Sequence, residues 1–578
     1  MKDPEQDDTI TVGEEFFPSD TEGLDDAAPP TDINLADGAK FELGIGPVKK
    51  RFGDDEIRML AYNGSIPGPT IRVPEHSEIT VKTTNLGDIE ATVHWHGLRL
   101  ENRYDGVPGE TQTPIEIGSS YTAKLQFPDP GFYWYHPHIR EDYAQEMGLY
   151  GTIIVEPNDP TYWPRVDREL TITLDDVLIE EGRMVPFLRS GLTHTAMGRF
   201  GNVMLINGQP HYSEEVRAGE VVRIYLVNTA STRIFNFGIA GIQMKLIGGD
   251  SGRYEQESFV DDVLLAPSER AVVDVHFSDA GEVRVEHRTP DRVYDLGSIS
   301  VLPSGTTGDR EAFEQLRTND DFMGERRTMA ADLERPPDKT LAFVSKMPLL
   351  YGDEAIDAST YQCPMDPDIV ATWAGTCPKC GMVLVPVDPG TAQPVGFACA
   401  THPATTASWA AVCPDDGSTL TATEEAPGGE STHAAHSHHQ DSGDGLEWED
   451  LMPDINKATD ASNMIWQLVD RDTGDINGAI SWIFKLGDRV KLRLVNEVEG
   501  SDHPMHHPFH IHGAGRFLVL SRDGIPEENL VWKDTVLCRS GQTVDILLDV
   551  SNPGLWMAHC HIAEHMQDGM MFSFEVKA

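Results

Sequence analysis

From residue 41 onward, the chain consists of short segments in which apolar and polar residues alternate. The segment IRVPEHSEITVKTTN at residues 71–85 is typical, and Gly, Pro and Asp residues separate such segments from one another. An alternation with a period of two predicts β-strands that bury one face, and the separating residues predict turns. No stretch approaches the roughly 20 apolar residues that a membrane-spanning helix needs. The pattern therefore predicts an all-β protein without a membrane span.

A diverged repeat within this pattern divides the chain into similar units. Residues 63–85, 207–228 and 477–496 each run from an Asn-Gly pair through an alternating strand to a second Asn. A chain of 578 residues is also too long for one hydrophobic core. Three copies of the repeat predict three β-sandwich domains with Greek-key connections. The expected boundaries are 40–158 for domain 1, 159–304 for domain 2, 305–351 for a linker and 447–578 for domain 3.

Two segments lie outside the repeat. Residues 1–39 contain twelve acidic residues and one basic residue, Lys2, and this composition predicts a disordered or loosely docked acidic tail. Residues 352–446 are rich in Pro, Gly, Thr, Ala and Cys, and five of the seven cysteines lie between 363 and 413. An odd number of clustered cysteines is not typical of a disulfide framework. We therefore expect a small Cys/His-rich metal-binding insert between domains 2 and 3.

Histidine pairs of the form His-x-His occur four times in domains 1 and 3. Residues i and i+2 of a strand face the same side, so each pair presents two imidazoles to one point. Imidazole is a preferred ligand of copper, and eight imidazoles are too many for one ion. The equivalent stretch of domain 2 has a single histidine, His287, shifted by one residue, and we expect that domain to act as a spacer. The four motifs are HWHG at 94–97, HPH at 136–138, HPFHIHG at 507–513 and HCHIAEHMQDGM at 559–570.

The last motif adds a second kind of site. Cys560 supplies a soft thiolate, His565 and Met570 follow it at short spacing, and His507 comes from the preceding motif. Two histidines, one cysteine and a weak axial methionine are the ligand set of blue-copper electron-transfer sites. On a strand, Cys560 points to one side while its two neighbouring histidines point to the other. One residue of covalent path therefore connects this predicted site to the predicted cluster.

At these four motifs the chain resembles the multicopper oxidases, a family that includes laccases and copper-efflux oxidases. The resemblance covers residues 40–578 except the insert. It implies three cupredoxin-like domains, four copper ions and O2 as the electron acceptor, which is reduced to water. It also implies that a trinuclear cluster lies between domains 1 and 3. The implied ligands are His507, Cys560, His565 and Met570 for the type 1 copper, His94 and His510 for the type 2 copper, and His96, His136, His138, His512, His559 and His561 for the type 3 pair.

The resemblance also bears on proton delivery. Asp105, nine residues after His96, matches a family acid thought to assist proton delivery during O2 reduction. An ordinary Asp-Gly turn residue is the alternative. Bacterial relatives often have Glu directly after the second type 1 histidine, whereas this chain has Met566. Glu564 and Asp568 are therefore further candidates for a proton route.

The insert carries its own cysteine pattern. A cysteine at 363 followed by CPKC at 377–380 resembles a heavy-metal-binding domain, although Asp366 stands where that family usually has histidine. A second, eroded copy begins 36 residues later, and the two copies are consistent with one shared site. These residues suit Zn(II) or Cu(I), and a purely structural zinc knuckle is the alternative. For the tract His433–His439, metal scavenging and a polar linker remain open. The candidate ligands are Cys363, Cys377, Cys380, Cys399, His402 and Cys413.

Charge limits the partners. The formal net charge is −49, from 94 acidic and 45 basic residues, and this disfavours nucleic acid and anionic lipid while attracting cations. The N-terminal sequence MKDPEQDDTI has no apolar signal core. The family resemblance nevertheless favours a periplasmic or secreted location.

Three alternative functions remain open, and the first two differ in their electron donor. A laccase-like oxidase would act on phenols or aromatic amines. A metallo-oxidase would act on Cu(I), Mn(II) or Fe(II) in metal detoxification. The insert and the acidic surface favour this second function, whereas the lack of a long Met-rich segment favours the first. A copper-binding carrier would bind copper without turnover, and the complete set of predicted ligands argues against it.

Overall fold

The computed structural model describes residues 16–304, 310–347 and 443–578, together with parts of the insert. The described parts of the insert are residues 360–363, 365–373, 375, 377–380, 384–387, 397–402, 405–408, 411, 413, 418 and 420–422. Three β-sandwiches make up this structure, and the prediction of an all-β, three-domain protein is confirmed. The histidine tract at 433–439 lies outside the described residues.

The repeated asparagines show why the same sandwich forms three times. Asn63, Asn207 and Asn477 each adopt a left-handed backbone conformation, with φ of 52°, 50° and 47°, which Asn tolerates better than most residues. Each side-chain oxygen accepts a hydrogen bond from an N–H of a neighbouring segment, and each amide nitrogen donates to a carbonyl two residues earlier in that segment. The same side chain therefore fixes the same turn against the sheet in every domain.

The strands of domain 1 are β1 (Asp32–Asn34), β2 (Lys40–Phe52), β3 (Asp55–Tyr62), β4 (Thr70–Pro74), β5 (Glu78–Asn85), β6 (His94–His96), β7 (Ser120–Gln126), β8 (Gly131–His136) and β9 (Gly151–Glu156). One sheet has the order β1-β4-β9-β8-β6 and the other has the order β3-β2-β5-β7. A 3₁₀ turn at Asn102–Tyr104 and the short helix α1 at Glu141–Ala144 follow β6 and β8. Both histidine strands of this domain, β6 and β8, therefore lie at one edge of one sheet.

The strands of domain 2 are β10 (Arg168–Val177), β11 (Ile179–Glu180), β12 (Arg183–Met184), β13 (Val203–Ile206), β14 (Tyr212–Arg217), β15 (Val221–Asn228), β16 (Phe235–Ile239), β17 (Met244–Gly249), β18 (Gly252–Val260), β19 (Asp262–Leu265), β20 (Arg270–His276), β21 (Gly281–Arg288) and β22 (Val293–Leu302). The sheets have the orders β13-β10-β15-β20-β17-β18 and β14-β22-β21-β16-β19, beside the small hairpin β11-β12. Val227 and Val272 of this domain belong to the same apolar cluster as the core of domain 1, so the two domains pack directly together.

Helices α2 (Arg310–Glu314) and α3 (Asp320–Glu334) and strand β23 (Lys339–Lys346) precede the insert. The insert contains β24 (Tyr361–Gln362), β25 (Val370–Ala371), β26 (Val385–Pro386), β27 (Phe397–Ala398), β28 (Thr406–Ala407) and β29 (Thr421–Ala422). After it come α4 (Pro453–Lys457), β30 (Ile465–Asp470), a 3₁₀ turn (Asn477–Ala479), β31 (Ile483–Lys485), β32 (Arg489–Asn496), β33 (His507–Ile511), β34 (Gly515–Arg522), β35 (Ile525–Pro526), β36 (Thr535–Cys538), β37 (Thr543–Val550), β38 (Gly554–Cys560), α5 (Ala563–Gln567) and β39 (Met571–Lys577). The sheets of domain 3 have the orders β30-β23-β32-β37-β34-β35 and β31-β39-β38-β33-β36.

The predicted linker at 305–351 needs correction. It contains two helices, and its strand β23 lies in the sheet of domain 3, parallel to β32 and antiparallel to β30. Domain 3 therefore begins with β23 rather than at residue 447. The insert follows this first strand, so it separates domain 2 from the remainder of domain 3.

The prediction of a disordered or loosely docked tail at 1–39 is wrong for residues 16–39, which pack on domain 1. Phe17 is buried and stacks on Tyr143 with ring centroids 3.7 Å apart. Strand β1 pairs in parallel with β4, so that Asp32 lies opposite Thr70. Aromatic burial and backbone pairing outweigh the acidic composition and hold residues 16–39 on domain 1. Among the helices of the described residues, none combines the length and apolar character needed to cross a bilayer.

Candidate metal centre

Two pairs of strands bring the eight predicted histidines together between domains 1 and 3. In domain 1, β6 lies antiparallel to β8, with His94 opposite His136. In domain 3, β33 lies antiparallel to β38, with His510 opposite His559. All eight side chains are at most 1% exposed. The two domains meet ring to ring, since His96 stacks on His510 with centroids 3.7 Å apart.

The ring nitrogens of this histidine cluster fall into groups of the size that a metal ion requires. Among the described residues, groups that have one nitrogen from each of three histidines, with all of these atoms within 4.8 Å of one another, include the three given below. His96 belongs to two of the groups, so they are adjacent. The groups are His94, His96 and His510; His96, His136 and His561; and His138, His512 and His559.

Hydrogen bonds orient the rings and leave nitrogens for metal ions. His94 donates from Nδ1 to the carbonyl of Asp105 at 2.7 Å, and His510 donates from Nδ1 to the carbonyl of Asp534 at 2.9 Å. The Nε2 atoms of both rings are buried and have no hydrogen-bond partner among the described residues. A buried nitrogen that makes no hydrogen bond is costly unless another group, such as a metal ion, satisfies it.

A second contact supports the same conclusion. His559 donates from Nδ1 to the Cys560 carbonyl at 2.8 Å, and His512 Nδ1 lies 2.7 Å from Asp105 Oδ2. With their protons on Nδ1, the two rings direct their Nε2 atoms at each other across 3.1 Å. Two lone pairs at this distance repel each other, and a cation beside them removes the repulsion.

The imidazoles are held in the neutral form that binds metal. Burial, and then the neighbouring imidazoles, hold the pKa values of His136, His138 and His510 well below the usual range. Burial likewise lowers the pKa of His94 to about 3. Neutral imidazole is the form that ligates a metal ion. The cluster therefore fits copper ions in both geometry and protonation.

Asp105 lies inside the cluster and not in an exposed turn. It is fully buried, and its side chain and its carbonyl each hold the Nδ1 atom of a different histidine, His512 and His94. Burial, and then the charge of nearby Glu110, raises the pKa of Asp105 well above its usual range. Glu110 itself accepts a hydrogen bond from Ser573 Oγ at 2.5 Å.

Domain 2 contributes to the site, contrary to the prediction that it acts only as a spacer. Arg270, at the start of β20, donates from Nη1 and Nη2 to the two carboxylate oxygens of Asp534, both at 2.6 Å. Asp534 Oδ1 also lies 3.0 Å from His96 Nε2. All three side chains are buried. Sequence analysis missed Arg270 and Asp534, because no motif marks either residue.

Three of the predicted type 1 ligands, Cys560, His507 and His565, lie next to one another. Cys560 Sγ lies 3.4 Å from His507 Nδ1 and 3.8 Å from His565 Nδ1. Met570 is fully buried, and its carbonyl accepts a hydrogen bond from the Cys560 N–H at 3.1 Å. Trp466 stacks on His565 with centroids 4.0 Å apart and fixes the plane of that ring. Cys560, His507 and His565 therefore form a compact, buried site, and Met570 belongs to the same apolar cluster as Cys560.

The six candidate ligands of the insert separate into two groups instead of one shared site. One group is all cysteine, and in it the sulfurs of Cys363 and Cys380 lie 3.4 Å apart. The other contains Cys399, His402 and Cys413. The structure thus provides each copy of the repeat with its own three donors.

The insert packs against the Cys560 site. Its buried cysteines share an apolar cluster with Met566 and Met571 of domain 3. Met566 directly follows His565 in the sequence, and Met571 directly follows Met570. The insert therefore covers backbone that carries two of the predicted type 1 ligands.

The insert also touches domain 1, at the loop that follows Asp105. Val107 belongs to the same apolar cluster as the insert cysteines. A side chain at Gly109 would meet Cys380 Cβ at 3.2 Å, and the backbone of Gly109 is left-handed, with φ of 78°. Glycine is therefore required here, because it leaves room for the all-cysteine group.

Comparison with known families covers most of the chain. Three family models described as "Multicopper oxidase" match residues 48–160, 169–283 and 450–578, one in each domain. Together they span more than half of the chain. The chain belongs to the multicopper oxidase family. A model described as "Heavy metal binding domain" matches residues 360–387, which contain the first copy of the insert repeat.

Curated relatives of this multicopper oxidase include bacterial copper proteins. It is 33% identical over 274 residues to "Multicopper oxidase MmcO" of Mycobacterium tuberculosis, an alignment that covers 42% of this chain and 51% of the relative. It is 25% identical over 283 residues to "Copper resistance protein A" of Pseudomonas syringae pv. tomato, covering 41% and 46%. The chain thus spans about half the length of these curated relatives.

Solved structures share the fold across nearly the whole chain. A laccase-like multicopper oxidase from Ochrobactrum sp. matches with a TM-score of 0.61 and 18% identity, covering 95% of this multicopper oxidase and 100% of that chain. A metallo-oxidase from Campylobacter jejuni matches with a TM-score of 0.59 and 19% identity, covering 98% and 99%.

The two further proton-route candidates of this multicopper oxidase differ in their surroundings. Asp568 Oδ2 accepts a hydrogen bond from the backbone N–H of Trp466 at 2.9 Å. Glu564 is fully buried, and burial raises its pKa to about 7, an effect that nearby Arg199 opposes. Asp568 is therefore engaged in holding β30, whereas Glu564 carries a buried carboxyl group next to His565. A role for either residue in proton delivery stays a prediction.

Proposed function

We propose that the protein is a copper-dependent oxidoreductase that takes single electrons from a reduced donor and passes them to O2. The observation that carries this proposal is the buried cluster of eight histidines, whose unpartnered nitrogens converge, next to a cysteine flanked by two of them. When bound, copper would supply one-electron oxidation at the Cys560 site and reduction of O2 to water at the histidine cluster.

We assign the ligands as the family pattern implies. Four residues would hold one type 1 copper, two would hold one type 2 copper, and six would hold the type 3 pair. The three nitrogen groups support this division, because two of them contain only proposed type 3 ligands. The assignments are His507, Cys560, His565 and Met570 to type 1, His94 and His510 to type 2, and His96, His136, His138, His512, His559 and His561 to type 3.

The protein's own groups prepare the Cys560 site for an electron carrier. Burial raises the pKa of the Cys560 thiol, so the thiolate depends on a bound cation. The Ile562 N–H donates to Cys560 Sγ at 3.4 Å, which stabilises negative charge on the sulfur. The neighbours of Cys560, His559 and His561, belong to the histidine cluster. The shortest covalent connection between the two sites is therefore a single peptide unit.

Asp105 is proposed to act twice, by orienting His512 through Oδ2 and by handing on protons. Asp105→Asn keeps an oxygen that accepts the His512 Nδ1–H but removes the exchangeable carboxyl proton. We expect turnover to fall about 10²-fold or more with copper content unchanged. Asp105→Ala removes both functions and should also weaken copper binding by about 10- to 100-fold.

O2-consumption rates and copper per chain, measured on the two Asp105 variants, separate these roles. Glu116→Gln, which neutralises an exposed acid of the same domain, is the matched control and should retain full turnover. Unchanged turnover in Asp105→Asn would remove Asp105 from proton delivery.

For the donor, we propose laccase-like activity on phenols or aromatic amines, with a low-valent metal ion as the second candidate. The packing of the insert cysteines on Met566 and Met571 favours the metal ion, because it brings a soft-metal donor set to the Cys560 site. The copper-resistance relative and the metallo-oxidase of similar fold are in agreement with this second candidate.

The insert distinguishes the two donors. The double variant Cys363→Ser/Cys377→Ser removes two sulfurs of the all-cysteine group without shortening the chain. If this group concentrates Cu(I) beside the Cys560 site, Cu(I) turnover at low micromolar concentration should fall about tenfold, while phenol turnover stays unchanged. Deletion of 352–446 should give the same loss.

The measurement is O2 uptake by the copper-loaded protein with each donor in turn. Equal Cu(I) turnover with and without these cysteines would exclude a role for the insert in metal delivery. Absence of O2 uptake with every donor would instead favour a copper carrier without turnover.

A further inference from the structure

The second copy of the insert keeps the strand arrangement of the first. Both copies lie in one sheet with the order β26-β24-β25-β28-β27-β29, in which β25 of the first copy pairs with β28 of the second. Every strand of the second copy begins 36 residues after its counterpart. The sheet is therefore a duplicated unit joined at its centre.

The turns that carry the metal donors are also kept. The Cys363 N–H donates to the Ile369 carbonyl at 2.9 Å, and the Cys399 N–H donates to the Thr405 carbonyl at 3.0 Å. The Ile369 N–H in turn donates to the Asp366 carbonyl at 2.9 Å, and the Thr405 N–H donates to the His402 carbonyl at 2.8 Å. The heavy-metal-binding family model ends at residue 387, before the second copy. The backbone thus preserves a ligand-bearing turn where the family match has ended.

The second copy gathers two thiols and one imidazole. His402 Nδ1 lies 3.7 Å from the sulfur of Cys399 and 3.7 Å from that of Cys413. In the first copy the equivalent of His402 is Asp366, and its carboxylate forms an ion pair with Lys379. The second copy therefore draws its third donor from a position that is not a ligand in the first copy.

The surroundings of Cys399 favour its ionised form. Ser418 Oγ lies 3.3 Å from its sulfur and Thr401 Oγ1 lies 3.2 Å from it. The backbone N–H of His402 donates a hydrogen bond to the same sulfur at 3.4 Å. Hydrogen-bond donors around a sulfur stabilise negative charge on it, and a thiolate is the form that ligates a metal ion.

We propose that Cys399, His402 and Cys413 form a second metal site that binds a borderline divalent cation such as Zn(II). Thiolates together with imidazole are a common zinc donor set, whereas an all-thiolate group such as that of the first copy also suits soft Cu(I). The two halves of the insert thus differ in metal preference. A cation in the second copy would stabilise β27 and β28, and through the β25–β28 pair it would hold the first copy in place.

The test uses the full-length, copper-loaded protein equilibrated with Zn(II) and then dialysed. Elemental analysis should find one zinc ion per chain that depends on the second copy. His402→Ala should lower zinc affinity at least about tenfold. Cys363→Ser, in the first copy, should leave the zinc ion that depends on His402 in place, and His211→Ala, at an exposed histidine, should leave zinc unchanged.

A conservative variant keeps the test decisive if His402→Ala disturbs folding. His402→Cys should retain zinc, and X-ray absorption at the zinc edge should then show one more sulfur and one fewer nitrogen around the ion. If the numbers of sulfur and nitrogen atoms around the zinc ion are unchanged in His402→Cys, the proposal is overturned. Loss of zinc in Cys363→Ser but not in His402→Ala would overturn it as well.

Discussion

Replacing Cys560 with serine should abolish both the blue absorption and the oxidase activity while leaving the fold intact. The change is nearly isosteric, but it substitutes a hard hydroxyl for the soft thiolate that copper requires beside His507 and His565. It leaves the other proposed ligands in place. We therefore expect copper in the histidine cluster to remain, and turnover with any donor to become undetectable.

Absorption spectra, O2 uptake and the thermal unfolding midpoint of the variant check this expectation. Cys363→Ser removes a buried thiol from the insert and is the matched control, which should remain blue. A Cys560→Ser protein that is still blue would show that another residue binds the type 1 copper.

Replacing Asp534 with alanine should lower both copper content and stability. Asp534 forms a two-point ion pair with Arg270 and lies against His96. Its removal takes away the two-point partner of a buried guanidinium and leaves Asp250 Oδ1, 3.8 Å from Arg270 Nη1, as the nearby counter-charge. Breaking a buried ion pair in this way typically costs about 3–5 kcal/mol in the free energy of unfolding. The same positive charge next to His96 also opposes cations in the cluster, so copper affinity should fall about 10- to 100-fold.

A double-mutant cycle tests the cause of this loss. If the loss of the two-point partner of Arg270 is the cause, Arg270→Met combined with Asp534→Ala should recover part of the stability that Asp534→Ala loses. Urea unfolding and copper titration give the two quantities. A loss in Asp534→Ala below about 1 kcal/mol, within the range of ordinary substitutions, would contradict the proposed role of the pair.

The histidine cluster was predictable because the period of a β-strand is strict. His94 and His96 both lie in β6, and the other three pairs lie at strand ends, so the strand pairs β6–β8 and β33–β38 place the rings opposite one another. The Asn-Gly repeat was equally informative, since each Asn makes the same two hydrogen bonds to a neighbouring segment. Local chemistry fixes both features, so sequence patterns suffice to predict them.

The features that sequence analysis missed depend on contacts between distant segments. Arg270 belongs to a domain without histidine pairs, and only the packing of domain 2 against domains 1 and 3 brings it to Asp534. Strand β23 was assigned to a linker because its partner β32 lies beyond the insert and pairs in parallel. The acidic composition around Phe17 likewise masked an aromatic anchor on Tyr143.

The insert was predictable only in part. Its 36-residue repeat was visible in the sequence, and so were its six candidate ligands. The division into two groups was not visible, because it follows from the β25–β28 pairing that places the copies side by side. Its position on Met566 was also hidden, since the contact joins two segments far apart in the chain.

The central claim is that imidazoles from both ends of the chain assemble a multi-copper cluster linked to the Cys560 site. Electron paramagnetic resonance of the oxidised, copper-loaded protein tests it most directly. We expect two signals of equal weight, one with the small hyperfine splitting of a copper thiolate and one with the splitting of an ordinary copper site, while the coupled type 3 pair gives no signal. A single signal, from the Cys560 site alone or from isolated ordinary copper ions, would contradict it.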